Sequence, residues 1–551
     1  MRQFTRKTGG YFREIVGGRY DTISVALVVL RQRILFVLVC FCIVNLAIIT
    51  RIVYLSFQPQ LSDHDRNVIQ QQNANLVRAD LFDRNGMILA TSLPTVSVYA
   101  NAKDVINIGE AVEGLRKIFK DLNFRKVKQS LESGKRFIWV KRHITPAQQE
   151  ALLSLGIPGI YFINTERRIY PDRNLLSHVL GFTDVDNIGI AGVEYSENNR
   201  IIRNSEPLQL SVDIRLQHAL RDELSVGMAE FSATGASGII YEVETGEVLA
   251  MCSLPDFDPN QYAKTPPKNK FNKCTCAVME PGSTAKIFTT AMALESGRVR
   301  LDSIFDVTAP LNIGRHHIKD FHPHNRPLTT EEVFKYSSNI GAARMALQVG
   351  GQIQRQFYQD LGMFVPVRLE LPELQAPLYS KTWREPTIIT VSYGYGIALT
   401  PMHMVVGVAS ILNGGLLLLP TILKGKNADH KATKRIISEA TSKKMVRLLR
   451  LVVEEGTSRK AEVSGYHVIG KTGTAEKLQG KTYNKNSNMC FFIGAFPTDR
   501  PKYLIFIMLD EPKANKNTFG FAAAGWNAAP VASRVIKRIG AILDVVPDKD
   551  E

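Results

Sequence analysis

The longest apolar stretch lies near the start of the chain. From Ile34 to Thr50 only Asn45 breaks it, and it continues as Arg51-Ile52-Val53-Tyr54-Leu55. About 20 apolar residues cross a bilayer, so residues 34–55 are predicted to be a membrane-spanning helix, with Arg51 snorkelling its charge to the headgroups. Arg31 and Arg33 flank the other end, and the positive-inside rule then puts residues 1–33 in the cytoplasm and everything after 55 outside. A cleaved signal peptide is the competing reading. The long basic leader, with no small-x-small site after the apolar run, favours an uncleaved anchor. Asn45 leaves two readings open, a bond to a partner helix or one to its own backbone.

After the anchor the rhythm changes to short alternating strands and polar turns, over residues 56–205. The stretch Arg78 to Ala90 places Asn85-Gly86 between apolar segments, a hairpin signal. Ile144 to Leu152 predicts a helix capped by Thr145 with Pro146 in its first turn. Residues 206–551 mix both periods. Gly238–Val243 and Val248–Met251 read as a hairpin, Tyr503–Leu509 as a buried strand and Ala529–Ile539 as a closing helix. Strands flanking a group of helices predict an α+β fold.

Candidate chemistry centres on Glu280-Pro281-Gly282-Ser283-Thr284-Ala285-Lys286. Pro281-Gly282 reads as a turn, and the apolar run that follows has helical spacing as far as Gly297. Ser283 and Lys286 then share a helix face. A serine becomes a nucleophile when a base takes its proton, and a lysine serves as that base when burial and a second cation lower its pKa. An S-x-x-K match alone is weak, since about one is expected by chance at this length. Two later stretches strengthen it: Ser337-Ser338-Asn339, and Lys471-Thr472-Gly473-Thr474 after a predicted short strand Tyr466–Gly470.

Composition changes this picture little. The 551 residues are 45% hydrophobic and 22% charged, which describes globular domains rather than a disordered or wholly membrane-embedded chain. The net charge of +16 suits an anionic membrane or polymer surface. No nucleic-acid-binding signature accompanies it, so nucleic acid is not an expected partner. The six cysteines do not form a disulfide framework: Cys40 and Cys42 lie in the span, Cys274 and Cys276 are too close for an easy bridge, and Cys252 and Cys490 are isolated. His316, His317, His322 and His324 match no standard zinc spacing with Cys274 and Cys276; no metal is expected, and the histidines are placed on a loop near the cleft.

The ordered series S-x-x-K, S-x-N and K-T-G resembles the signature of penicillin-binding proteins and class A β-lactamases. With the anchor it most resembles the class B penicillin-binding proteins of the division-specific FtsI type. Asp83-Arg84-Asn85-Gly86, the stretch from Tyr170-Pro171 to Glu194, Phe257-Asp258-Pro259-Asn260, Leu509-Asp510-Glu511-Pro512 and Asn527-Ala528-Ala529-Pro530 are similar to family landmarks. Ala79, where a glycine is usual, and Gly525-Trp526, where paired glycines are common, depart from the pattern outside the three motifs.

The resemblance implies four parts: a basic tail (1–33), an anchor (34–55), an elongated β-rich pedestal of dimerisation type (56–205) and a serine transpeptidase domain of β-lactamase-like fold (206–551). It implies Ser283 as nucleophile toward stem peptides ending in D-alanyl-D-alanine, Lys286 as base, Ser337 as proton relay and Asn339 as a positioning group. Lys471, Thr472 and Thr474 are implied to receive the substrate carboxylate, Gly473 to let the substrate backbone approach, and the N–H groups of Ser283 and Thr474 to form an oxyanion hole. No cofactor is implied. β-Lactams, an FtsW-type glycosyltransferase and other divisome membrane proteins are the implied partners, at the bacterial inner membrane. A β-lactamase needs a carboxylate to activate water, and no Glu-x-x-x-Asn element lies between Ser337 and Lys471. An elongation-specific transpeptidase and a catalytically silent division scaffold remain the alternatives.

Overall fold

The structure, a computed structural model, describes residues 31–54, 78–203, 206–313, 316–427, 433–480 and 482–547. The expected tail at residues 1–30, the end of the span at Leu55, the start of the pedestal at 56–77 and the boundary at 204–205 lie outside these residues. The chain divides into two units, Met1–Asn75 and Leu76–Glu551.

In the first unit, helix α1 (Arg31–Tyr54) begins three residues before the predicted span. Its 24 residues rise about 36 Å, enough for a hydrocarbon core of about 30 Å. Asn45 Nδ2 donates to the Phe41 carbonyl at 2.8 Å and Thr50 Oγ1 to Leu46 at 2.7 Å. Of the two readings of Asn45, its own backbone is the partner here.

The second unit opens with the predicted hairpin. Strands β1 (Leu81–Phe82) and β2 (Ile88–Ala100) pair antiparallel. In their turn, Asp83 Oδ1 accepts the N–H groups of Asn85 (2.7 Å) and Met87 (2.8 Å). Strands β3 (Ile138–Ile144) and β4 (Ile160–Ile169) both pair with β2. Helix α2 (Pro146–Ser154) carries the expected Thr145 cap, closed into a capping box by Gln148. Strand β5 (Leu208–Gln209) returns parallel to β1.

The rest of the second unit is a five-stranded antiparallel sheet between helical layers. In chain order its elements are α3 (Ile214–Glu230), β6 (Gly235–Glu242), β7 (Val248–Leu254), α4 (Lys286–Glu295), α5 (Thr330–Lys335), α6 (Asn339–Val349), α7 (Pro401–Leu412), α8 (Glu439–Glu454), β8 (Ile469–Gln479), β9 (Thr482–Phe496), β10 (Tyr503–Asp510) and α9 (Ala528–Ile542). The strand order is β8-β9-β10-β6-β7. Strand β10 explains the layering: Leu504, Phe506 and Met508 enter one core with α4, α7 and α8, while Ile505, Ile507 and Leu509 enter another with α3 and α9. A sheet buried on both faces reads as continuous apolar sequence. Helix α7 is apolar all round and every one of its residues is buried.

The expected boundary near residue 205 does not separate two cores. Leu81, Leu89, Tyr170 and Val179 belong to the same buried cluster as Phe288 and Met508. Only the outer part of the pedestal, around Val98, Leu115 and Val140, has a core of its own. Within the pedestal segment lies a buried ion triad that no local spacing announces. Glu194 accepts from Arg78 Nε (2.7 Å) and Arg168 Nε (2.6 Å), with all three side chains at most 1% exposed.

Candidate active site

Ser283 sits on a single 3-10 turn, Gly282–Ala285, and α4 begins only at Lys286. The sequence predicted an ordinary first helical turn here. The tighter 3-10 winding eclipses positions i and i+3, which sets Lys286 Nζ 3.0 Å from Ser283 Oγ. The turn is wedged in place by close backbone contacts. Gly282 has φ +52°, and a Cβ there would lie 2.7 Å from the Thr474 carbonyl oxygen. Gly282 N–H donates to the Gly394 carbonyl at 3.1 Å.

Helices α5 and α6 meet at Ser337, whose φ of +60° is costly for a residue with a side chain. This left-handed step aims both its oxygens at the lysine: Lys286 Nζ lies 2.7 Å from Ser337 O and 3.1 Å from Ser337 Oγ. Asn339 Oδ1 is 2.7 Å away, and its Nδ2 donates to Lys319 O at 3.0 Å, which fixes the amide orientation. Two of the four oxygens around Lys286, the Ser337 carbonyl and the Asn339 amide oxygen, can only accept. A neutral amine meets them with its two N–H bonds and turns its lone pair to the hydroxyls of Ser283 and Ser337.

Asp320 holds this corner, and sequence reasoning missed it. Its Oδ2 accepts Ser338 Oγ at 2.6 Å, and its Oδ1 accepts the N–H groups of Asn339 (2.5 Å) and Ile340 (3.0 Å). A carboxylate suits the N-terminus of α6, where unpaired N–H groups and the helix dipole converge. The available signal was the surplus of N–H groups at that helix start, since Ser338 Oγ caps only Gly341 N, at 2.9 Å. Asp320 comes from the histidine-bearing loop expected near the cleft. In that loop His324 stacks on Tyr336, ring centroids 4.6 Å apart.

The third motif lies on β8, the edge strand. The strand starts at Ile469, so Tyr466-His467-Val468, predicted as part of it, are instead a turn leading in. Lys471 is fully buried, and its Nζ has no hydrogen-bond partner among the described residues. Thr472 N–H points off the sheet edge to Ser458 Oγ at 3.0 Å. By β alternation Thr474 N–H, two residues on, faces the same way, along the edge against which Gly282 packs.

Three contacts surround the residues expected to meet a ligand here. The Thr472 hydroxyl donates to Thr457 Oγ1 at 3.1 Å inside the protein, so it is not presented as a free donor to a ligand. Thr474 Oγ1 accepts the Ala524 N–H at 3.0 Å. A Cβ at Gly473 would lie 2.9 Å from both Pro281 O and Thr284 Cγ2, so the missing side chain also lets the Ser283 turn pack against this strand.

Burial pushes Lys286 well below the ordinary lysine range, the charge of Lys471 adds to this, and Asp320 opposes it. Burial alone lowers Lys471 to about 7. All six cysteines are free, and Cys274 packs Sγ against the Cys252 carbonyl at 3.2 Å. Among the described residues no group of three or more His, Cys, Asp or Glu is disposed to hold a metal.

Comparison with known proteins agrees with this geometry. Residues 236–537 match the penicillin binding protein transpeptidase domain, and residues 74–204 the penicillin-binding protein dimerisation domain. The chain is 37% identical over 487 residues to the probable peptidoglycan D,D-transpeptidase FtsI of Caulobacter vibrioides, covering 86% of this chain and 82% of that one. It is 29% identical to the peptidoglycan D,D-transpeptidase FtsI of Escherichia coli K12, covering 93% and 92%. Penicillin binding protein 3 of Mycobacterium tuberculosis, crystallised with aztreonam, shares the fold at a TM-score of 0.67 and 24% identity, over 86% of this chain and 97% of that one. Catalytic sheet, pedestal and three converging motifs together mean that the chain belongs to the class B penicillin-binding proteins of the FtsI type.

Proposed function

We propose that Ser283, Lys286, Ser337, Asn339 and Lys471 carry the chemistry of a serine-type peptidoglycan D,D-transpeptidase that cross-links stem peptides during septal wall synthesis. The observation that carries this reading is the convergence on Lys286 Nζ of Ser283 Oγ at 3.0 Å, Ser337 Oγ at 3.1 Å and Asn339 Oδ1 at 2.7 Å. A neutral Lys286 takes the Ser283 proton as Oγ attacks the carbonyl between the two terminal D-alanines. The C–N bond breaks, and Ser337 passes the proton to the departing D-alanine amine. The amine of a second stem peptide then attacks the ester, its proton passes through Lys286 to Ser283 Oγ as the ester C–O bond breaks, and the cross-link is released with Ser283 and neutral Lys286 restored. The N–H groups of Ser283 and Thr474 stabilise the oxyanion, a contribution of about 3–4 kcal/mol per donor. Lys471, buried and without a hydrogen-bond partner among the described residues, supplies the positive partner for the substrate carboxylate. A β-lactam opens on Ser283 by the same steps and stays as the ester.

The same reading takes 1–33 as a cytoplasmic tail, 34–55 as the anchor, 56–205 as the pedestal and 206–551 as a transpeptidase domain outside the inner membrane. The basic residues before the span support that orientation. Division rather than elongation is supported by the FtsI relatives. An FtsW-type glycosyltransferase and other divisome membrane proteins are the partners that role calls for. Labelling by a fluorescent penicillin, lost in Ser283→Ala, tests the enzyme against a silent scaffold. Filaments rather than round cells on depletion test the division role.

A further inference from the structure

Glu280 ends the loop that leads into the nucleophile turn, and the chemistry above leaves it unused. Its Oε1 accepts the Gly396 N–H at 2.7 Å and the Tyr483 hydroxyl at 3.1 Å. Its Oε2 is buried and has no hydrogen-bond partner among the described residues. Three tyrosines gather around it. Tyr395 meets Tyr483 edge-on at 5.4 Å between ring centroids, and Tyr393 lies 5.7 Å from Tyr395. Burial raises the pKa of all three phenols, the Glu280 charge adds to this, and burial raises that of Glu280 itself.

A buried anionic oxygen without a partner is unfavourable in a finished fold and is stabilised when a cation reaches it. A carboxylate walled by aromatic rings is suited to an ammonium group, which gains from both the charge and the ring faces. The position is informative too. Glu280 lies three residues before Ser283, and Tyr483 stands on β9, the strand that follows the Lys471–Thr474 strand across the hairpin. The carboxylate therefore links the turn that carries Ser283 to the hairpin that carries Lys471.

We propose that Glu280, with the tyrosine cluster Tyr393, Tyr395 and Tyr483 beside it, binds the primary ammonium of a stem-peptide side chain. This rests on the transpeptidase reading, which requires an amine-bearing stem peptide. The ammonium belongs either to the donor strand, which ends in D-alanyl-D-alanine, or to the acceptor strand, which need not.

The test is the rate of fluorescent-penicillin labelling of the full-length protein in the presence of synthetic stem peptides. One pair ends in D-alanyl-D-alanine and another lacks both D-alanines, each with a free or an N-acetylated side-chain amine. In the wild type the free-amine member of at least one pair competes tenfold or more better than its acetylated twin, and that pair identifies the strand. Glu280→Gln, which keeps the shape and loses the charge, reduces the preference below threefold. Tyr483→Ala, at the exposed member of the tyrosine cluster, reduces it at least threefold. A wild-type preference below threefold in both pairs overturns the assignment, as does a preference unchanged in Glu280→Gln. Wild-type protein that takes no label removes the transpeptidase reading itself, whereas normal labelling without amine preference removes only this one.

Discussion

Lys286 Nζ and Asn339 Oδ1 lie 2.7 Å apart, and the Asn339 Nδ2 bond to Lys319 O at 3.0 Å means the oxygen, not the amide nitrogen, faces the lysine. A neutral acceptor there leaves Lys286 free to lose its proton. Asn339→Asp supplies a negative charge instead, which favours the ammonium form and raises the Lys286 pKa. Penicillin acylation at pH 7 is expected to fall by about 100-fold, since general-base catalysis contributes about 10²–10⁴. The loss is recovered in part as pH rises, which a pH series of labelling rates measures.

Asp320 acts on the same lysine in the opposite sense from Lys471, since it raises the Lys286 pKa. Asp320→Asn keeps the shape and removes the charge. With its oxygen on the Asn339 and Ile340 N–H groups, its amide NH2 faces Ser338 Oγ, which then accepts instead of donating. The acidic limb of the acylation profile is expected to move to lower pH, and helix α6 to lose about 0.3–1 kcal/mol of dipole stabilisation. The pH profile and thermal melting of one variant check both.

Lys471 is a buried cation without a hydrogen-bond partner among the described residues, a feature that serves function at the expense of stability. Its pKa is about 7 in the folded protein and about 10.4 in an unfolded chain. The unfolded state binds more protons between those values, so its destabilising effect is full below pH 7 and disappears as pH rises toward 10.4. Lys471→Met is expected to raise Tm by several degrees at pH 6–7 and by little at pH 10, while acylation by penicillin falls at least 100-fold. In the unliganded wild type, the acylation rate is expected to decline as pH rises through about 7, where Lys471 loses the charge that receives the carboxylate.

Glu194 neutralises Arg78 and Arg168 within the pedestal segment, tying its first strand region to its last helices, with all three side chains buried. Glu194→Ala leaves two buried guanidinium groups without their carboxylate, a loss of about 3–5 kcal/mol. The variant is expected to unfold at lower denaturant while the Ser283 site, built from other elements, still takes penicillin in the fraction that remains folded. Chemical denaturation followed by penicillin labelling separates the two.

Local pattern made much of this legible. Strand β10, helix α9, the Asn85-Gly86 hairpin and the Thr145 cap each carry their signal within a dozen residues, and each is found within a few residues of its prediction. The three motifs were readable because each is contiguous. What escaped depends on register or on distant partners. Thr472 is a plausible ligand donor as a residue type, but the turn at Thr457-Ser458 takes up its hydroxyl. Asp320 reaches Asn339 from a loop 19 residues upstream, and Arg78 reaches Glu194 across 116 residues, with no local spacing to announce either. The left-handed step at Ser337 is invisible because serine has no preference for it. The shared core across residue 205 follows from β1 pairing with β5, a contact no periodicity encodes.

The most direct test of the account is mass spectrometry of the penicillin adduct after trypsin digestion. Cleavage after Lys273 and Lys286 yields a peptide, residues 274–286, whose only serine is Ser283. The added mass of one intact penicillin is expected on that peptide at Ser283, and nowhere in the Ser283→Ala protein. An adduct on another peptide, or labelling that survives the substitution, would contradict the assignment of this serine as the nucleophile.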